Sequence, residues 1–141
     1  MCPSVVSPLG SEHLDEVHDL FRNEWWTRTR TRSDVERIVA GSTTTVGLVD
    51  GSQLLAFARV LSDGCYLAIV LDVIVASDHR GSGLGDQLMD ALLHLPEVAS
   101  VNSVELVCQP EATAFYGRHG FGTDVGTSTL MRRTSDAALR D

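Results

Sequence analysis

The chain has 141 residues, 43% hydrophobic and 21% charged, and Lys+Arg 11 against Asp+Glu 19 leave a formal net charge of −8. This length suits one domain over residues 1–141, with 1–3 and 134–141 expected as frayed ends. The charge excludes broad nucleic-acid binding, which needs a surface of phosphate-neutralising cations. No apolar run reaches the roughly 18 residues of a membrane span, and residues 1–10 lack the pattern of a secretory signal. Three widely spaced cysteines, Cys2, Cys65 and Cys108, form neither a disulfide framework nor a zinc knuckle. A cytoplasmic protein without a metal site is the expectation.

An opening strand over residues 4–9 precedes a helix over 11–23, where Leu14, Val17, Leu20 and Phe21 recur at three- and four-residue spacing. Ser33-Asp34-Val35-Glu36 reads as a capping box that opens a second helix, and Gly41 stops it. Strands over 44–49 and 53–61 flank the turn pair Asp50-Gly51, and Ser62-Asp63-Gly64 leads into a third apolar run over 65–76. Leu84, Leu88, Ala91, Leu92 and Leu95 then line one helical stripe that Pro96 ends. A strand over 103–108, a short helix over 113–119 closed by Gly120, and a last strand over 123–133 complete the chain. This order predicts an α/β fold, a central mixed, mostly antiparallel sheet flanked by helices, with one parallel pair where a helix separates two strands.

The stretch from Leu71 to Gly85 is the most informative: an apolar strand, the turn Arg80-Gly81-Ser82-Gly83-Leu84-Gly85, then an amphipathic helix. Glycines at alternate positions bare backbone N–H groups, and the helix start adds unpaired donors and a positive dipole end. Together these suit a pyrophosphate; spacing alone fits a tight turn equally well. No Gly-Lys-Ser/Thr follows, which excludes a Walker loop. Asp86 and Gln87 stand where a dinucleotide-binding fingerprint needs its third glycine, although Glu105 lies at a suitable distance for that fingerprint's acidic residue. A dinucleotide-binding oxidoreductase domain is therefore a poor fit.

Arg80-x-x-Gly83-x-Gly85, with Val75-Ala76-Ser77-Asp78-His79 before it, resembles the coenzyme A signature of the GNAT superfamily of N-acetyltransferases. Ala114-Phe115-Tyr116-Gly117-Arg118-His119-Gly120-Phe121 resembles that family's late helix. The resemblance covers roughly residues 44–131, and one departure is Ser77, where the family often has Pro. It implies that Val73, Ile74 and Val75 pair with the pantetheine arm of acetyl-CoA like an added strand. It also implies that Arg80, Gly81, Ser82, Gly83, Leu84, Gly85 and Asp86 hold the pyrophosphate, and that the sheet splays beside this strand to admit the amine. The family's late strands often pair across a dimer, which leaves a homodimer open.

Acetyl transfer needs an unprotonated amine, a polarised carbonyl and a proton for the departing thiolate. A main-chain N–H of the Val73–Val75 stretch suits the carbonyl; the resemblance, whose motif places a Tyr hydroxyl near the sulfur, implies Tyr116 as the acid, and otherwise Tyr116 is an aromatic anchor beside Phe115 and Phe121. Asp72 or Glu105 is the candidate base, directly or through water, or else each is a solvated strand residue, which Glu105 fits better. Glu105 is also a candidate for the substrate site, and by alternation Asp72 shares a face with Ile74, opposite Leu71 and Val73. Trp25 and Trp26 offer an aromatic wall for the acceptor, or pack on the sheet, and one of them should stay partly exposed. Arg28, Arg30 and Arg32 read as a solvated run, His79 and His119 as surface residues, and Cys108 as a small buried group or a neighbour of the thioester. The expected activity is N-acetylation of a small-molecule primary amine by direct transfer in a ternary complex. A protein N-acetyltransferase and a non-catalytic acyl-CoA binding module are the alternatives.

Overall fold

The computed structural model, described here over residues 2–140, is built on a five-stranded sheet in the order β1-β2-β3-β4-β5. The strands are β1 (Ser4–Val6), β2 (Thr44–Asp50), β3 (Gln53–Ser62), β4 (Leu67–Val75) and β5 (Ser103–Glu105). The first three pairings are antiparallel and β4 with β5 is parallel, as the strand–helix–strand order predicts. The helices are α1 (Leu14–Arg22), α2 (Arg32–Gly41), α3 (Leu84–Leu93), α4 (Pro96–Ala99) and α5 (Thr113–Gly117). Among the described residues no helix is long and apolar enough to cross a membrane.

Helices cover both faces of the sheet, so β2 and β3 are buried almost throughout. On one face Leu84, Leu88, Met89 and Leu92 of α3 pack onto Val46, Leu48, Ala58 and Val60. On the other, Val17, Leu20 and Phe21 of α1 and Val35 of α2 pack onto Phe57 and Ile74. Phe21 and Phe57 meet edge to face at 5.8 Å. Fully burying each such side chain contributes about 1.5–3 kcal/mol.

Three expectations need correction. The capping box of α2 is Thr31 with Asp34, two residues earlier than the Ser33–Glu36 pattern suggests: Asp34 N–H donates to Thr31 Oγ1 at 3.1 Å and Thr31 N–H to Asp34 Oδ2 at 2.8 Å. Pro96 ends α3 only indirectly, since it opens the short α4. The strand expected over 123–133 does not form; residues 122–133 are all exposed, and no sheet edge lies alongside them. A stretch with β-forming residues makes a strand only when there is a neighbour to bond and a face to bury. Ala137–Leu139 form a 3-10 turn, in which Ala138 N–H donates to Asp136 Oδ1 at 3.0 Å.

Candidate active site

A β-bulge opens the site. Phe57 pairs with Ile74 and Arg59 with Leu71, so Ala58 faces two residues of β4, Asp72 and Val73. Asp72 takes φ 53, the only positive φ at a non-glycine residue among those described. On its other edge β4 pairs with β5 only from Leu67 to Ile69. From Leu71 to Val75 that edge has no partner strand, and the sheet splays there as expected. The splay forms a cleft of about 850 Å³ that runs from the glycine turn along β4 to Trp25 and Trp26.

At the head of the cleft, Gly81 and Gly83 adopt φ 80 and φ 84, with open space where a Cβ would stand. None of the N–H groups of Gly81, Ser82, Gly83, Leu84, Gly85 and Asp86 donates to another described backbone group, so six successive donors are bare. The Arg80 guanidinium is already engaged: its Nε donates to Val75 O at 3.3 Å and its Nη2 pairs with Glu24, two residues beyond α1. This brace fixes the turn to the helix that precedes the tryptophans.

The late helix is clamped onto α3 in two ways. Gly85 admits the Phe115 ring so closely that a Cβ there would stand 3.1 Å from Cε1. The Asp86 carboxylate bonds His119 Nε2 at 2.7 Å and accepts from Arg118 Nη2 at 3.1 and 3.2 Å. The His119 hydrogen bond first, then Arg118, hold the Asp86 pKa below the usual carboxylate value. His119, expected on the surface, is thus a packed and bonded residue, and Asp86 has a structural carboxylate as well as a bare N–H.

The clamp carries Tyr116 into the cleft wall, where its ring meets Phe115 at 4.9 Å and Phe121 at 6.0 Å. Burial first, and the nearby Cys108 thiol second, push the Tyr116 pKa up to about 12. Cys108 itself lines the cleft half-buried, its thiol raised by burial and then by Glu111. The phenol is therefore protonated across the physiological range and can donate a hydrogen bond to whatever sits beside it.

The other end of the cleft lies by the turn between α1 and α2. Buried Thr27 donates to Phe21 O at 2.6 Å and pins that turn. Trp25 and Trp26 pack edge to face at 5.6 Å; Trp25 is 46% exposed and Trp26 leans on the α1–α2 core, the division expected of adjacent tryptophans. Arg30 is not a solvated residue. Its guanidinium stacks over Phe21 at 4.8 Å, and Nη1 donates to Asp72 Oδ2 at 2.7 Å. Arg59 Nε donates to the same oxygen at 2.6 Å. Glu105 is exposed on β5 and does not line the cleft. Val73 and Val75 pack toward α3 while Ile74 is buried under α1; the bulge breaks the expected alternation, placing Leu71 and Ile74 on one face, and Asp72 turns to Arg30 and Arg59.

The sequence did not flag Arg59, Glu24 or the Asp86–His119 bond, because each depends on a partner distant along the chain. Asp72 joins residues 42 and 13 positions away, and Asp86 one 33 positions away. Among the described residues no group of three or more His, Cys, Asp or Glu is placed to hold a metal ion.

Residues 12–132 match the family model for the acetyltransferase (GNAT) domain. The chain is 35% identical over 116 residues to the uncharacterized N-acetyltransferase ycf52 of Gracilaria tenuistipitata var. liui and 28% identical to its counterpart in Pyropia yezoensis. Each match covers 79% of this chain but only 63% and 66% of those relatives' own lengths. Serotonin N-acetyltransferase 2 (chloroplastic) of Oryza sativa subsp. japonica matches at 36% identity over 49% of this chain and 34% of its own. A putative acetyltransferase of the GNAT family from Xanthomonas campestris superimposes with a TM-score of 0.81 at 27% identity, over 96% of both chains. The splayed sheet, the bared glycine turn and the late aromatic helix thus belong to a recognised arrangement: the chain is a member of the GNAT acetyltransferase family.

Proposed function

We propose that the chain is an acetyl-CoA-dependent N-acetyltransferase of the cytoplasm that modifies a primary amine of a small molecule by direct transfer. The observation that carries this reading is the run of six bare N–H donors at the start of α3, opening onto the unpaired edge of β4. The diphosphate of acetyl-CoA would lie on those donors, with the helix dipole adding to the attraction. Its pantetheine arm would bond Val73, Ile74 and Val75 as a missing strand does.

With the thioester beside the bulge, a main-chain N–H of that stretch polarises the carbonyl oxygen. The amine nitrogen attacks the carbonyl carbon, the C–N bond forms, the C–S bond breaks, and the nitrogen gives up a proton. Tyr116 donates a hydrogen bond to the leaving sulfur. Two roles are open to Asp72, taking the amine's proton or ordering Arg30 and Arg59; its bonds to both guanidiniums favour the second and leave the proton to water. Exposed Glu105 has no contact with the cleft that would support a substrate role. Relatives carry names of both acceptor kinds, serotonin N-acetyltransferase and histone acetyltransferase. The small-molecule choice is favoured by Leu139 of the C-terminal turn, which walls the cleft.

The test is thiol release from acetyl-CoA in a panel of primary amines, with the N-acetyl product identified by mass. Amine-dependent release is expected. Calorimetric binding of coenzyme A without release in any amine would leave an idle binding module, and no binding at all would end the enzymatic reading.

A further inference from the structure

We infer that the acceptor end of the cleft is built for an amine that also carries an anionic group, a carboxylate or phosphate a few bonds from the nitrogen. The inference rests on the acetyl-transfer reading of the same cleft. Arg30, Arg59 and Asp72 all line it. Two guanidiniums share one carboxylate oxygen, so the trio carries one net positive charge. Their side chains are only 25%, 15% and 5% exposed, which leaves little water to screen that charge. The remaining charged side chains of the wall balance one another: Glu24 is tied to Arg80, and Glu111 and Arg132 stand exposed at the rim with opposite signs. The overall −8 favours approach of cations, yet this end of the cleft has the opposite sign.

The donors are also poised. Arg59 spends Nε on Asp72 and Arg30 spends Nη1, and among the described residues their other guanidinium N–H groups bond to nothing in the protein. A guanidinium presents five N–H groups in a rigid fork that matches carboxylate and phosphate oxygens. Asp72 holds the Arg59 fork by its Nε end, and Phe21 supports the Arg30 plane, so little side-chain freedom is lost on binding. Asp72 directly precedes Val73, where the reacting carbonyl would sit. At about 3.3 Å per strand residue, an anion on the two arginines lies only a few bonds from an attacking nitrogen. The same positive charge disfavours the ammonium form of the acceptor and so exposes its lone pair.

The test uses matched pairs, phenethylamine against phenylalanine and ethanolamine against phosphoethanolamine. Calorimetry on the coenzyme A-loaded protein and acetyl transfer from acetyl-CoA are both read. The anionic member of at least one pair should bind and react about tenfold better, the size of one charge-assisted hydrogen bond. Phenylalanine and phosphoethanolamine separate a carboxylate site from a phosphate site. Arg59→Gln and Arg30→Gln should each erase most of the preference while coenzyme A affinity holds, with melting curves showing the variants folded. Asp72→Asn frees a second positive charge and should keep or raise the preference. Equal or better use of the neutral members, or a preference that survives both arginine variants, overturns the inference. So does an absence of binding by all four amines. Transfer to neutral amines alone sinks the anion site and leaves the transferase standing. Arginine-dependent binding of an anionic amine without transfer keeps the site and sinks the transferase.

Discussion

Tyr116→Phe removes one oxygen and leaves the packing, since the edge-to-face geometry with Phe115 and Phe121 belongs to the ring. With the phenol pKa pushed up to about 12 and an ordinary thiol near 8.5, full proton transfer to the leaving thiolate is unfavourable by about a thousandfold or more. On the proposed function, the side chain would act by donating a hydrogen bond to developing negative charge on sulfur. Such a bond is worth about 1.5–3 kcal/mol, which predicts a fall in kcat of about 10- to 150-fold. KM for acetyl-CoA and the calorimetric affinity for coenzyme A should change little. The phenol also predicts a pH signature. Its folded pKa is raised above an unfolded value near 10, so its contribution to stability is complete below pH 10 and is lost as pH rises toward 12. Tyr116→Phe should lack that alkaline loss in melting curves. Unchanged kcat, or a change confined to KM, would refute the donor role.

Three further substitutions check the cradle and its clamp. Gly83→Ala meets no neighbour but forces an alanine to φ 84, so it should cost about 1–2 kcal/mol, lower the melting point by roughly 3–8 °C and weaken coenzyme A binding. Gly41→Ala, in α2 with open space and no positive φ, should instead stabilise by about 0.5–1 kcal/mol; equal melting points for the two would refute this account. Asp86, whose folded pKa is depressed by His119 and Arg118, stabilises the protein above the unfolded carboxylate pKa, about 3.9, and that contribution is lost as pH falls through the lower folded value. Asp86→Asn should flatten the acid limb of stability against pH; an unaltered limb would show that the bond does not hold the clamp.

The sheet was legible because its signals are local. Asp50-Gly51 and Ser62-Asp63-Gly64 mark the reversals, and the apolar runs between them have strand length. The glycine turn was legible for the same reason: its glycines, its strand and its helix are contiguous. The register of α2 was not, because Thr31–Asp34 and Ser33–Glu36 both look like caps. The packed fold uses the first, with Arg32 inside the helix bonding Asp15 and Glu36. Residues 123–133 have the composition of a strand but no neighbour, and nothing local reports that β5 stops at Glu105. The bulge at Asp72 likewise leaves no mark in the sequence, and it is what turns an unremarkable strand carboxylate into the partner of two arginines.

The close seat of Phe115 over Gly85 means that the two signature stretches, thirty residues apart, cannot drift independently. A methyl at position 85 finds room only if the ring gives by a few tenths of an ångström or is trimmed with it. A hybrid that brings a larger residue to position 85 without trimming position 115 would inherit a misfit between the two stretches.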